Sequence, residues 1–456
     1  MKYKSQLSTV ALVFPLIIAG CGSGGSSAES AAQDMKTITV IDGYLNNASI
    51  CIDRNSNKIC EIDEELASKT NELGQVKIAL ADAEYPIIVK AIAGVTTDSD
   101  QLTPLTKSYE LIAAASADYV TPFSTLAHLG DLSLQAYADS VGVDYAVISH
   151  DYVADTQNAS KAAHLLARTI TPLLEERAVD NGLSLLNQRV GEIQTHILKE
   201  VNDGVDLSTI DISYDTQSSV FYSKPKVTSL GTHIAGQSFT YSVYSNHLDA
   251  NGPGFENTIS FNNGNISYLG NQVQYQLNGN KLIYGASSFT YLIMNDNYFL
   301  SFSENNDPGI WTKDAISAKP TVQVENNFVA GKTLYHLRDI NNYNYDKAEP
   351  KLTKLVFDDK DQVTVIPEGE VGFTATWQVK DSTVNNATLR TISIEFPQGE
   401  QDRDSLKSEN SMTLEVIFVS NELSLAINHS SNALINENFI ISDENLAKLM
   451  YRKWLN

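Results

Sequence analysis

Positive charge is scarce in this chain: 32 lysines and arginines stand against 55 aspartates and glutamates, a formal net charge of −23 over 456 residues. Such a surface repels phosphate backbones and anionic headgroups, which excludes nucleic acid as a partner held by a basic patch, and it attracts cations instead. Histidine is sparse, eight in all, and none pairs with another in the H-E-x-x-H arrangement of a helical metal site. His128, His164 and His196 fall on expected helices as packing or surface residues, and His233, His247, His336 and His429 are scattered through a β-rich part. No G-x-S-x-G elbow, P-loop or dinucleotide fingerprint occurs, which removes the most easily recognised hydrolases and nucleotide enzymes. Past the first twenty residues no apolar run is long enough to cross a membrane as a helix. Cysteine is down to three, an odd number that leaves one thiol to explain.

The first of the three explains itself. Lys2 and Lys4 precede the apolar run "VALVFPLII", and "IAGC" closes it at Cys21, the basic, apolar and small-residue layout of a secretory signal. "IAGC" resembles the lipobox of bacterial lipoproteins. That resemblance implies a signal peptide over 1–20, lipid on Cys21 as the first mature residue, and, with Gly22 following, the outer membrane. Residues 21–35, "CGSGGSSAESAAQDM", can bury nothing and make a flexible tether. With Cys21 carrying lipid, Cys51 and Cys60 remain as a pair in a compartment where disulfides persist.

Periodicity divides the rest. Residues 36–96 show short Ile- and Val-rich runs ("TITVIDGYL", "ASICID", "QVKIAL", "YPIIVKAI") bounded by Asp-Gly, Asn-Asn and Tyr-Pro, and predict a small β-sandwich. "DGYLNNASICIDRNSNKICEIDEELASKTNELGQVKI" resembles the carboxypeptidase-regulatory and Cna-B-like group of prealbumin-type sandwiches, which implies a spacer, stalk or adhesion module. Residues 102–205 turn helical. Thr121-Pro122 opens one helix. Leu165, Leu166, Ile170 and Leu174 stripe a second that Pro172 should kink. Leu186, Val190, Ile193 and Ile197 stripe a third. The sandwich-plus-helices layout resembles lipoproteins of marine gammaproteobacteria.

Residues 217–441 alternate as strands and carry an internal repeat: the run from Ala235 to Phe261 has its counterpart from Ala330 to Phe357, and the following strands hold Tyr275 and Trp377. The fold class expected is multidomain and mainly β, with a sandwich, a central helical region and a duplicated C-terminal meander in the form of a sandwich or barrel. A helix over 442–456, capped by Ser442, should dock on it. The β region is rich in aromatics (Tyr241, Tyr244, Tyr268, Tyr275, Tyr291, Trp311, Tyr343, Tyr345, Trp377), which serve either as core or as sugar-stacking platforms.

One local motif carries chemistry. Asp53, Asn55, Asn57, the Ile59 carbonyl, Glu61 and Glu64 fall at positions 1, 3, 5, 7, 9 and 12 of a calcium loop, and hard oxygen donors are what calcium takes. Lys58 stands at position 6, where the tight turn calls for glycine. The loop is therefore either a structural calcium site or an Asx-rich turn held by the disulfide. Together these features predict a non-enzymatic outer-membrane lipoprotein, held to the membrane by its lipid, that binds or scaffolds an envelope protein or glycan. The alternatives are a hydrolase of envelope or extracellular polysaccharide and a lipocalin-like carrier of a small ligand.

Overall fold

A computed structural model of the chain describes residues 34–178, 182–215, 220–243, 255–295, 297–318, 322–340, 348–384, 387–400, 403, 405–406, 409–430 and 437–455. It is mainly β, with strands at the N-terminal end, helices in the middle and two closed eight-stranded barrels at the C-terminal end. The signal, Cys21 and most of the tether lie outside the described residues, as do Tyr244, His247, Tyr343 and Tyr345.

The N-terminal strands form two small sheets besides the two-residue pair of Leu45–Asn46 with Thr97–Asp98. One orders Gln75–Ala79, Met35–Val40 and Tyr119–Val120; the other orders Glu65–Lys69, Ser49–Ile52, Ile87–Ala91 and Tyr109–Ala113. Alternation sets the inward face, since the register pairs buried Ile38 with buried Val76 while Lys77 and Thr37 sit opposite each other beside them. Tyr109–Ala113 falls in the stretch read as helical from sequence. Its Leu111, Ile112 and Ala113 are all buried, so the five-residue run shows no two-residue alternation to set against the alanines that follow.

The helices close the same core. Thr121 caps Pro122–Leu129 through a reciprocal bond with Ser124, as Thr-Pro led one to expect. Pro172 acts as a break: the α-helix Asn158–Ile170 ends before it and Thr171–Ala178 continues as a 3-10 helix. Ile38, Ile50, Val89, Leu111, Leu166, Val190 and Ile193 belong to one hydrophobic cluster, so sheets and helices have a continuous interior.

The duplicated meander is two up-and-down barrels, spanning Ser238–Thr312 and Thr333–Ile441. Each closes by pairing its first strand with its eighth, Tyr241 opposite Trp311 in one and Leu337 opposite Phe439 in the other. A short helical turn precedes each, Leu230–Ile234 and Asn326–Phe328, and Ile234 and Val329 plug the respective interiors. Gly236 and Gly331 then take the same left-handed φ of 69° to swing the chain into the first strand, which is why Ala-Gly heads both copies. The correspondence extends to irregularities: the sixth strand of each barrel bulges, between Tyr291 and Ile293 and between Val416 and Phe418. Eight strands enclose a space that side chains can fill. Phe239, Phe261, Tyr291, Phe299 and Trp311 fill the first barrel, with the Trp311 indole donating to Ser301 Oγ at 2.7 Å. Leu355, Phe357, Val365, Trp377, Ile394 and Leu414 pack the second.

Outer faces join the barrels. Leu300, Phe302 and Ile310 of the first meet Leu337, Phe418, Leu425 and Phe439 of the second in a common cluster. The terminal helix Glu444–Leu455 lays Leu446, Met450 and Trp454 into it. Its cap is Asp443 rather than Ser442: Asp443 Oδ1 accepts from the amides of Asn445 and Leu446, and Oδ2 accepts from the Ser108 amide at 3.0 Å. One carboxylate thus caps the helix and ties it to the N-terminal sheets.

Candidate functional site

The acidic loop is held together by its own carboxylates and asparagines. Asp53 is fully buried and accepts from the amides of Asn57 and Lys58 at 3.0 and 2.9 Å, while Glu64 reaches back to the amides of Arg54 and Glu61. Asn55 and Asn57 both donate side-chain N–H groups to Glu61, at 2.8 and 3.2 Å. The Ile59 amide donates to Asn57 Oδ1 and its side chain is exposed. Lys58 adopts φ +63°, the conformation glycine would supply, and its ammonium turns outward to Asp131 at 2.8 Å and the His128 carbonyl. The six positions therefore curl together. Hydrogen bonds occupy oxygens of Asp53, Asn55, Asn57, Glu61 and Glu64, and a calcium ion would require the two asparagine amides to turn their oxygens inward. Cys51 and Cys60 form the disulfide, with Cα atoms 5.6 Å apart, and clamp the base of the loop. Glu65 is the one carboxylate, among the described residues, that groups tightly with two other potential ligands, and those are the two bonded sulfurs.

A second constellation lies in a cleft of about 530 Å³ walled by the sheets, the helices and both barrels. Asp42 and Gly43 make the turn after the first strand, closed by the bridge of Ile41 to Tyr44. The short strand Thr97–Asp98 pairs with Leu45–Asn46 and so brings Asp98 beside that turn. Gly43 leaves room for the Asp98 carboxylate, since a Cβ would stand 2.1 Å from Asp98 Oδ1. Tyr109 donates to Asp42 Oδ2 at 3.1 Å, but buried Asp42 Oδ1 has no donor. The neighbouring Thr171 hydroxyl donates to the Ala167 carbonyl at 3.1 Å and stands close enough to Asp42 to offset part of the effect of its burial.

The three aspartates of the cleft differ electrostatically. Asp100 holds His164 Nε2 at 2.6 Å and Lys226 Nζ at 2.5 Å, with Arg168 at 3.8 Å. Burial would raise its carboxyl, and His164 and Lys226 override this and hold it well below the usual carboxylate range. Asp42 has no such partner. Burial pushes it up to about 6, with the Asp100 charge adding and the Thr171 and Tyr109 hydroxyls offsetting part. Asp98 is raised well above the ordinary value by burial and by the charges of Asp42 and Asp100, against the backbone amides of Asp100 and Gly43. The cleft therefore contains two carboxyls, Asp42 and Asp98, that burial biases toward the protonated form, beside an Asp100 that His164 and Lys226 keep ionised.

Most of the remaining candidates are structural. Tyr241, Tyr291, Trp311 and Trp377 lie inside the barrels, with Tyr268 and Tyr275 packed partly against the first barrel's core. His336 is buried against Asn438 at 2.7 Å in the second barrel, and His429 meets Glu415 at 2.7 Å. His164 alone, among the described histidines, belongs to the aspartate cleft. No family model matches this chain, and neither a curated protein nor a solved structure does.

Proposed function

We propose that the chain is a non-enzymatic, lipid-anchored protein of the outer membrane that presents its paired barrels as a rigid body for binding or scaffolding an envelope protein or glycan. The observation that carries this reading is that both barrels are closed and filled: closure leaves no sheet edges, and filling leaves the outer faces and connections as the working surface. In the second barrel the longer connections, 340–349, 396–410 and 429–436, leave from one end, and the short ones, 358–361, 385–386 and 420–422, from the other. The connection between first and second strands holds Tyr244 in one copy and Tyr343 and Tyr345 in the other, all three outside the described residues. Filled interiors lend no support to a lipocalin-like carrier.

Lipid on Cys21 supplies the anchor in this reading, and the acidic loop, with calcium, stiffens the module nearest to it. The test is fractionation of cells making the full chain or Cys21→Ser, followed by glycan-array and crosslinking assays on the detergent-solubilised protein. Membrane retention that Cys21→Ser abolishes, with saturable binding of a defined glycan or a crosslink to one envelope protein, is the expected result. Unchanged fractionation of Cys21→Ser, or hydrolysis of the arrayed glycans, would overturn it.

A further inference from the structure

The first barrel turns an uncharged face to solvent in a chain that is otherwise strongly acidic. Residues 257–295 include one charged side chain, Lys281, where the chain's 19% average would place about seven. They run through the strands Phe255–Asn262, Asn265–Tyr268, Asn271–Asn278 and Lys281–Tyr284. Phe261, Ile266 and Leu282 belong to the barrel core, so alternation sends Ser260, Asn262, Asn265 and Ser267 outward. The register continues these as rows across three strands, Ser260 beside Ser267 beside Gln272, and Asn262 beside Asn265 beside Gln274. Gln276 and Asn278 carry the same face along the third strand, and all four of its outward amides are exposed. These four side chains make no hydrogen bond with the described residues. The face lies four strands round the barrel from Leu300 and Ile310, which meet the second barrel.

We infer that this face binds a neutral polysaccharide, whose hydroxyls take up the free amides of Gln272, Gln274, Gln276 and Asn278. The inference rests on the reading above that the outer surface of the barrels does the binding. A primary amide sets a carbonyl acceptor beside N–H donors, which complements adjacent sugar hydroxyls that each donate and accept. The amides recur at every second residue, about 6.6 to 6.8 Å apart, with the next strand about 4.8 Å away. Such a periodic array suits a polymer of repeated units. Charge decides which polymer. A uronic or sulfated glycan repeats a negative charge that a chain of net −23 repels, and a charged protein surface would meet amides that cannot neutralise it. Amide-rich strands also pair with copies of themselves through free edges, but closure of the barrel removes those edges.

The experiment is native electrophoresis of the detergent-solubilised full chain through gels containing dextran, laminarin or hydroxyethylcellulose. Alginate serves as the acidic control, and mobility is taken relative to a gel without polysaccharide. Retardation by at least one neutral polymer and none by alginate are expected. The combined variant Gln272→Glu, Gln274→Glu and Gln276→Glu should weaken it about tenfold or more, the scale of several hydrogen bonds lost together. All three side chains are exposed and unbonded, so the variant should melt like the parent; Gln274→Ala carries the same test if it does not. No retardation by any neutral polymer, equal retardation by alginate, or a concentration-dependent dimer that the variant abolishes would each overturn the inference. Retardation that the variant keeps would overturn it too, while leaving the proposed binding function standing. Fractionation and crosslinking judge that function without reference to this face.

Discussion

Trp377 stands edge-on to Phe357 inside the second barrel, ring centroids 5.6 Å apart at 87°, and the first barrel repeats the arrangement with Tyr275 against Phe261 at 5.6 Å and 85°. The backbone does the same in both: Trp377 N–H donates to the Asp361 carbonyl and Tyr275 N–H to that of Gly264, across equivalent hairpins. Edge-to-face pairs contribute about 0.5 to 1.5 kcal/mol beyond their burial. Phe357→Ala and Trp377→Ala should each cost about 3 to 5 kcal/mol, with a coupling energy near 1 kcal/mol in the double-mutant cycle. Denaturant unfolding measures it, and a coupling of zero would mean the rings are neighbours without interacting.

Between the barrels the contact falls on Tyr298. Its hydroxyl donates to Glu422 Oε2 at 2.9 Å and its ring meets Phe418 edge-on at 5.2 Å, with both rings buried and Glu422 half-buried. Tyr298 follows the bulged sixth strand of one barrel, and Phe418 is part of the bulge of the other. If this interface makes the two unfold together, Tyr298→Ala combined with Phe418→Ala should split a single calorimetric transition into two. A double variant that still melts in one step would place the coupling elsewhere in the shared cluster.

How much of this was legible beforehand depended on whether the signal was local. The Ala-Gly strand openings, Phe261 with Phe357 and Tyr275 with Trp377 gave the duplication, because each barrel needs the same left-handed glycine and the same interior ring at the same step. Closure was not legible, since pairing of Tyr241 with Trp311 joins residues that no local pattern connects. The acidic loop was readable because all its ligands lie in one short stretch. The aspartate cleft was not: Asp42 belongs to an Asp-Gly turn and Asp98 and Asp100 to a polar connection, each ordinary alone. Their meeting depends on a two-residue strand pair, and the cations around Asp100 come from His164, Arg168 and Lys226, far along the chain.

Asp42 makes a prediction about pH. An unfolded aspartate titrates near 3.8 and the folded Asp42 at about 6. Below 3.8 the group is protonated in both states and costs nothing. Between the two values the folded state holds a proton that the unfolded state has released, so stability falls as pH rises and stays low above 6. Asp42→Asn should therefore melt higher than the parent at pH 7.5, by about 2 to 3 kcal/mol, and the gain should shrink to nothing toward pH 4. Asp98, Asp100, His164, Tyr109 and Thr171 all face the group, and buried His336, pushed down to about 3, opposes the trend in acid. The difference between variant and parent at each pH is thus the quantity to measure, and a gain independent of pH would refute the assignment.

The last prediction concerns Lys58, the one residue that departs from the calcium-loop spacing. Its φ of +63° costs a lysine about 1 kcal/mol that a glycine would not incur, and its ammonium is spent on an exposed pair with Asp131, which contributes little. Lys58→Gly should therefore fold at least as stably as the parent, and by removing a positive charge from the loop it should tighten calcium binding severalfold. Asp53→Ala should do the reverse. It leaves the amides of Asn57 and Lys58 without an acceptor and takes away the first ligand, so the rise in melting temperature on adding millimolar calcium should vanish. Reducing the Cys51–Cys60 bridge should lower the melt with or without calcium, by an amount on the order of 2 to 3 kcal/mol for so short a loop. Thermal melts of the parent and both variants, in calcium and in chelator, separate these effects. If parent and Lys58→Gly each melt identically in the two buffers, the loop is a hydrogen-bonded turn, and its carboxylates serve the fold through Asn55, Asn57 and the backbone alone.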